Sequence, residues 1–141
     1  MIPREPMVRW LMLAGYVSNI GYSICAPLLP LEILRHGLPG IYVGMAFAFY
    51  SLAYLIVSPL IGKHVDTFGY SNLIAFGLCL MGFGFVAFGF IEDMENKVNL
   101  LAVVLILRLV HGSGCTIFYT TALSIATNDF PEDQARVIGN L

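Results

Sequence analysis

The sequence is short of charge. Asp, Glu, Lys and Arg make up 11% of its 141 residues, where a soluble domain carries about 25%. Apolar residues make up 58%, and the mean hydropathy is +0.82. That much apolar surface needs lipid to cover it. A basic excess is also missing: the formal net charge is −2 and the pI is near 5.8. Nucleic-acid binding draws on a basic patch, so it is set aside. Cysteine is sparse. Cys25, Cys79 and Cys115 all fall inside apolar runs. Their spacing fits neither a disulfide framework nor a metal site, and they read as small buried hydrophobes. His36, His64 and His111 are scattered and form no zinc pattern. There is no nucleophile–base pair and no phosphate loop ending in Gly-Lys-Ser/Thr. The sequence implies no cofactor, no metal and no enzyme.

What it does contain is long apolar runs. A bilayer-spanning helix needs about 20 predominantly apolar residues. Residues 10–31, 41–61, 71–91 and 100–126 each meet that length, and a fifth run starts near residue 137. The predicted fold is all-α and transmembrane, with four membrane-spanning helices. The polar head, residues 1–9, precedes a run too long for a signal peptide, no small-x-small cleavage site ends it, and further spans follow. Trp10 sits where tryptophan favours an interface.

The runs are unequal. The first carries Ser18, Asn19, Tyr22 and Ser23 at its middle. Asn19, Tyr22 and Ala26 share one helical face. Polar groups at that depth face a protein interior or a water-filled cavity. Hydrogen bonding between helices and contact with a solute both remain open for them. Pro27 and Pro30 then interrupt the end of the span, and residues 32–40 form the first loop. In the second span Gly44, Ala48, Ser51 and Leu55 lie along one stripe, read as a helix-packing seam. The third interleaves glycine and phenylalanine without an ionisable residue, which points to a lipid-facing or structural part. Residues 92–99 form an acidic loop without the ligand order of a calcium site, so a solvated loop is expected.

The fourth span is the most informative. Arg108 lies well inside it, where an arginine costs at least ~2.5–3.5 kcal/mol on insertion scales. Snorkelling to an interface competes with a functional reading, provided the helix starts near Val104. His111 and Gly112 share the arginine's face, and Cys115 and Tyr119 continue it.

Between the second and third spans lies Gly62-Lys63-His64-Val65-Asp66-Thr67-Phe68-Gly69, a polar link too short to do other than lay the two helices side by side and antiparallel. Gly62, Asp66 and Gly69 there resemble the loop signature of the major facilitator superfamily, with Thr67 in place of its basic residue and Tyr70-Ser71 in place of a basic pair. Arg108-Leu109-Val110-His111-Gly112-Ser113-Gly114 resembles the fourth-helix signature of proton-coupled facilitators, with His111 where that signature has glutamine. Ala26-Pro27-Leu28-Leu29-Pro30 is similar to the end of helix one in many facilitators. The likeness is nearest to the drug–proton antiporter and vesicular amine transporter branch, polyamine-type members included. One departure bears on substrate: counting back from Pro27, Ser18 stands where the monoamine carriers have an aspartate.

The resemblance implies the N-terminal part of a six-helix facilitator half. It implies a secondary transporter that moves a small organic solute by alternating access, with protons as the coupling ion. Ser18, Asn19, Tyr22, Arg108, His111 and Ser113 are the candidate solute or proton pathway. Gly62, Asp66 and Gly69 form the conformational loop motif, and Arg108, Gly112 and Gly114 the helix-four motif. His111 either titrates, since its unperturbed pKa of about 6.5 permits it, or hydrogen-bonds as the glutamine would. The expected partners are the lipid bilayer, the solute, protons, and the remaining helices of the same fold or a partner chain. The excess of basic residues at Arg4, Arg9, Lys63 and Arg136 over Arg35 and Lys97 places the N-terminus in the cytosol, in a plasma or vesicular membrane. A competing reading is a truncated four-helix protein that transports nothing alone and acts as an assembly or regulatory partner.

Overall fold

In lipid an apolar run satisfies its backbone by helix formation, because no water is present to take up free N–H and C=O groups. The computed structural model follows that rule. It describes residues 4–91, 94, 96–129 and 134–139. These form α1 (Arg4–Arg35), α2 (Ile41–Phe68), α3 (Tyr70–Phe88), α4 (Lys97–Asp129) and the short α5 (Gln134–Gly139). The first four are long and apolar enough to cross a membrane. The protein is an all-α, multi-pass membrane protein, and among the described residues no strand occurs.

The helices do not end where the apolar spans do. α1 covers residues 4–35 rather than 10–31, α2 runs on to Phe68 rather than 61, and α4 covers 97–129 rather than 100–126. α3 ends at Phe88, short of residue 91, and α5 begins at Gln134 rather than near 137. Helical hydrogen bonding continues past the edge of a hydrophobic run until a residue stops it. Pro27 and Pro30 do not stop α1, and Pro59 lies inside α2. Each proline leaves one carbonyl four residues earlier without its N–H partner. The acidic loop is only partly described. Asn96 accepts the N–H groups of Val98 at 3.0 Å and Asn99 at 3.3 Å, and so caps α4. Glu92, Asp93, Glu95 and residues 130–133 lie outside the described residues.

The polar link 62–69 is almost entirely helical. Gly62 and Asp66 belong to the last turns of α2, and the break is the single residue Gly69, at φ 79° and ψ 137°. Asp66 does not stand free ahead of α3. Its Oδ1 accepts the Tyr70 hydroxyl at 3.3 Å, and the Tyr70 oxygen accepts Asn128 Nδ2 at 3.1 Å. One chain of bonds thus joins the ends of α2 and α4 to the start of α3.

Packing runs through α4. Gly84 faces His111 while Gly77 faces Gly114 and Phe118, so α3 runs antiparallel to α4. Gly112 faces Tyr50 and Ala53, and Ser58 lies 3.4 Å from Thr120, so α2 runs parallel to α4. α2 and α3 are antiparallel, as the short link requires, but they touch each other lightly because α4 is wedged between them. Gly112 and Gly114 make the wedge possible. Two residues apart on a helix is about 200° of rotation, so they face opposite neighbours. A Cβ on Gly112 would stand 2.8 Å from the Tyr50 carbonyl oxygen; one on Gly114 would stand 2.8 Å from the Met81 nitrogen.

The stripe Gly44, Ala48, Ser51 and Leu55 is not the packing seam of α2 within this chain. All four are exposed, Leu55 by 74%. α2 packs instead through Ala46, Ala53 and Val65, because the glycine needed for close approach is already on α4. α1 stands apart. It meets α3 at Gly21, whose position is covered by the Phe85 ring, and is antiparallel to α4. One apolar cluster joins Leu29, Ile33, Ala46, Ile91, Leu100 and Val104 at one end; another joins Leu11, Met81, Cys115, Phe118 and Ile125 at the other.

Candidate functional site

Two cavities lie between α1 and the unit formed by α2, α3 and α4. The first, about 310 Å³, is lined by Cys25, Leu29, Glu32, Phe85, Phe88 and Arg108 among others. The second, about 450 Å³, is lined by Ser18, Asn19, Tyr22, Tyr50, Tyr54, Met81, Cys115 and Tyr119. Both exceed the lower bound of roughly 300 Å³ for small-molecule pockets. On α1 their linings form one stripe, Ser18, Tyr22, Cys25, Leu29 and Glu32, at the helical repeat of three and four residues. On α4 the matching stripe is Leu100, Val104, Arg108, Cys115 and Tyr119.

An aromatic and basic layer divides the cavities. Tyr22 and Tyr50 stand 5.5 Å apart, and the His111 ring lies 4.5 Å from Phe85, 5.8 Å from Tyr50 and 6.4 Å from both Tyr22 and Phe88. Arg108 and His111 are each 0% exposed. The helix starts at Lys97, not near Val104, so Arg108 does not snorkel. Its guanidinium carbon lies 5.0 Å from the Phe47 ring, 5.4 Å from Phe88 and 6.0 Å from Tyr50. A desolvated cation–π contact is worth about 2 kcal/mol. Burying an ion costs several kcal/mol even after relaxation, so the rings roughly offset the charge. They do nothing for the N–H groups. Nε and Nη1 are buried without a hydrogen-bond partner, and each such group costs about 1–3 kcal/mol or more. Both ring nitrogens of His111 are equally without one, so His111 does not hydrogen-bond as a glutamine stand-in among the described residues.

Of the remaining pathway candidates, Asn19 Nδ2 donates to the Tyr119 hydroxyl at 2.9 Å, across the second cavity's wall. Ser18 is buried and donates to the Ala14 carbonyl at 2.7 Å, and it is among the residues that line the same cavity. Tyr22 lines it too, with its ring in the dividing layer. Ser113 is placed elsewhere: it lines neither cavity and donates to its own helix, to Leu109 O, at 2.7 Å. Sequence reasoning missed Tyr50, Tyr54, Phe85 and Phe88, on spans taken as bland. It also missed Glu32, assigned to a loop. Extending the α1 stripe by one turn beyond Pro30 reaches Glu32, so the signal was present.

The fold agrees with what comparison of the sequence finds. The Major Facilitator Superfamily matches residues 11–141. The chain belongs to that superfamily. Among similar proteins is the mouse "MFS-type transporter SLC18B1", 28% identical over 94% of this chain and 30% of that protein. The human protein of that name is 25% identical over 88% of this chain and 27% of its own length. "Multidrug resistance protein 1" of Bacillus subtilis is 30% identical over 57% of this chain and 21% of that protein. The chain spans about 30% of the length of the first of these relatives. No solved structure matches. Along the helix-four string of this chain, Arg108 lines the first cavity, His111 is buried in the aromatic layer, and Gly112 and Gly114 set α4 between α2 and α3.

Proposed function

We propose that this chain is part of a facilitator-type secondary transporter that moves a small organic solute by alternating access, with protons as the coupling ion. The observation that supports it best is the buried, hydrogen-bond-deficient Arg108 in a layer between two cavities. A charge held at that depth without its hydrogen bonds is a place where a solute or a proton-dependent rearrangement changes the energy of the site. Alternating access needs a layer that opens to one cavity at a time. Rocking of α1 against α2–α4 around the Tyr22–Tyr50–His111 contacts supplies such a movement. The N-terminus lies in the cytosol, so the first cavity faces the far side. Kinship with transporters named as SLC18B1 and as a multidrug resistance protein favours the vesicular-amine and drug-antiporter branch.

The test is solute flux into proteoliposomes containing the intact gene product, with and without a pH gradient. Flux that follows the gradient is expected. Arg108→Ala is expected to abolish the gradient-driven component, by tenfold or more. Flux indifferent both to the gradient and to Arg108→Ala would remove the coupling role.

A further inference from the structure

The first cavity has opposite charges on two of its walls. Arg108 on α4 supplies a guanidinium with two buried, unbonded nitrogens. Glu32, in the last turn of α1, supplies a carboxylate whose Oε1 is buried and without a hydrogen-bond partner. The two side chains make no ion pair with one another among the described residues; each faces the cavity separately. Glu32 has other basic neighbours, Arg35 at the end of its own helix and His36 in the turn just after it. Arg35 Nη1 lies 3.7 Å from Oε2, at an exposed site where such pairs are weak. His36 Nδ1 lies 3.2 Å from Oε1 but is also 3.0 Å from the Glu32 carbonyl oxygen. Between the acid and the base the wall is apolar: Leu28, Leu29, Ile33, Phe85, Phe88, Ile91, Leu100 and Val104.

We propose that this cavity is a binding site for an amphoteric organic solute whose acidic and basic groups are separated by an apolar spacer. The anionic group accepts charge-assisted hydrogen bonds from the free N–H groups of Arg108. The cationic group pairs with Glu32, and the spacer lies against the Phe85–Phe88 wall. A purely cationic solute meets the uncompensated guanidinium, and a purely anionic one meets Glu32, so each is disfavoured by a like charge. The site deepens the transport reading by naming a solute class, and it rests on that reading for its place in a cycle.

Cys25 lines the same cavity and reports on its occupancy. The experiment uses the intact gene product in nanodiscs, with Cys79→Ala and Cys115→Ala and any cysteine outside this chain replaced. Labelling of Cys25 by a membrane-permeant maleimide is followed in the presence of 6-aminohexanoate, 8-aminooctanoate, hexylamine or hexanoate. At least one amino acid is expected to protect Cys25 at a tenfold lower concentration than either singly charged compound. Glu32→Gln, at the partly exposed end of α1, is expected to erase that advantage and leave hexanoate as good a protector. Equal protection by all four, stronger protection by the amine or the acid, or protection by none overturns the proposal. So does an amino-acid preference that survives Glu32→Gln. The assay needs no gradient. Loss of flux with protection intact would sink transport alone, and loss of protection with flux intact would sink this solute class alone.

Discussion

A buried histidine ring is expensive unless its nitrogens are bonded or the ring itself contributes. At His111 neither nitrogen has a partner, and the ring stacks edge-on against Phe85 at 4.5 Å. The ring is packed there as an aromatic spacer among Tyr22, Tyr50, Phe85 and Phe88. Replacing it tests this. His111→Phe keeps an aromatic ring in the slot and removes two unsatisfied polar atoms, each worth about 1–3 kcal/mol. That gain offsets the crowding from a slightly larger ring, which costs about 1–3 kcal/mol at most sites. The thermal midpoint in detergent is expected to be no lower than that of the parent, whereas His111→Ala loses about 3–5 kcal/mol, as truncation of a packed aromatic does. A phenylalanine variant that unfolds earlier, or that loses its response to a pH gradient while folded, would return His111 to the proton pathway. Arg108 is different, because no apolar side chain reproduces its N–H groups toward the first cavity.

The elements are set by glycines that look alike in the sequence and act in different ways. Gly62 and Gly69 bracket the same motif. Gly62 is inside α2 and a Cβ there meets nothing within 4 Å, so Gly62→Ala stabilises the helix by up to about 1 kcal/mol. Gly69 sits at φ 79°, and Gly69→Ala costs about 1–3 kcal/mol in backbone strain. Gly114→Ala pushes a methyl group against the Met81 nitrogen at 2.8 Å and the Gly77 oxygen at 2.9 Å, backbone atoms that cannot step aside, for a loss of about 1–3 kcal/mol or more. Gly82→Ala meets nothing and is expected to be harmless. Thermal unfolding of the four variants in one detergent checks the order; a Gly62→Ala that destabilises as much as Gly69→Ala would contradict it. These differences also mark what the sequence could reveal. Four membrane helices were legible, because length and hydropathy are local properties; of the residues read as one face with Arg108, Cys115 and Tyr119 line a cavity, while Gly112 turns to α2. Which face of α2 packs was not legible, because Gly44, Ala48 and Ser51 look suitable until Gly112 on α4 is seen to supply the close approach. Glu32 was lost for a related reason: prolines at 27 and 30 read as a helix end, yet α1 continues through them.

At the scale of the whole molecule the question is how two cavities on one stripe of α1 relate to each other. α1 is the loosely attached element, bonded to α4 at Asn19–Tyr119 and resting on Phe85 at Gly21. The other three long helices form one unit around α4. If α1 rocks on that unit, opening one cavity closes the other, and reagents applied from opposite sides must compete. Cys25 lines the first cavity, and Ser18→Cys places a thiol in the second while leaving the Asn19–Tyr119 bond in place, on a background lacking Cys79 and Cys115. With a membrane-impermeant thiol reagent outside sealed proteoliposomes of sorted orientation, one of the two positions is expected to label from each side. A pH gradient or a bound solute that speeds labelling at Cys25 is expected to slow it at position 18 by a similar factor. Tyr119→Phe removes the bond that ties α1 to α4, worth about 0.5–1.5 kcal/mol. It is expected to shift both rates in opposite directions by roughly two- to tenfold, since 1.36 kcal/mol is a factor of ten. Rates that rise or fall together at both positions would mean that the layer does not gate, and that the two cavities breathe as one.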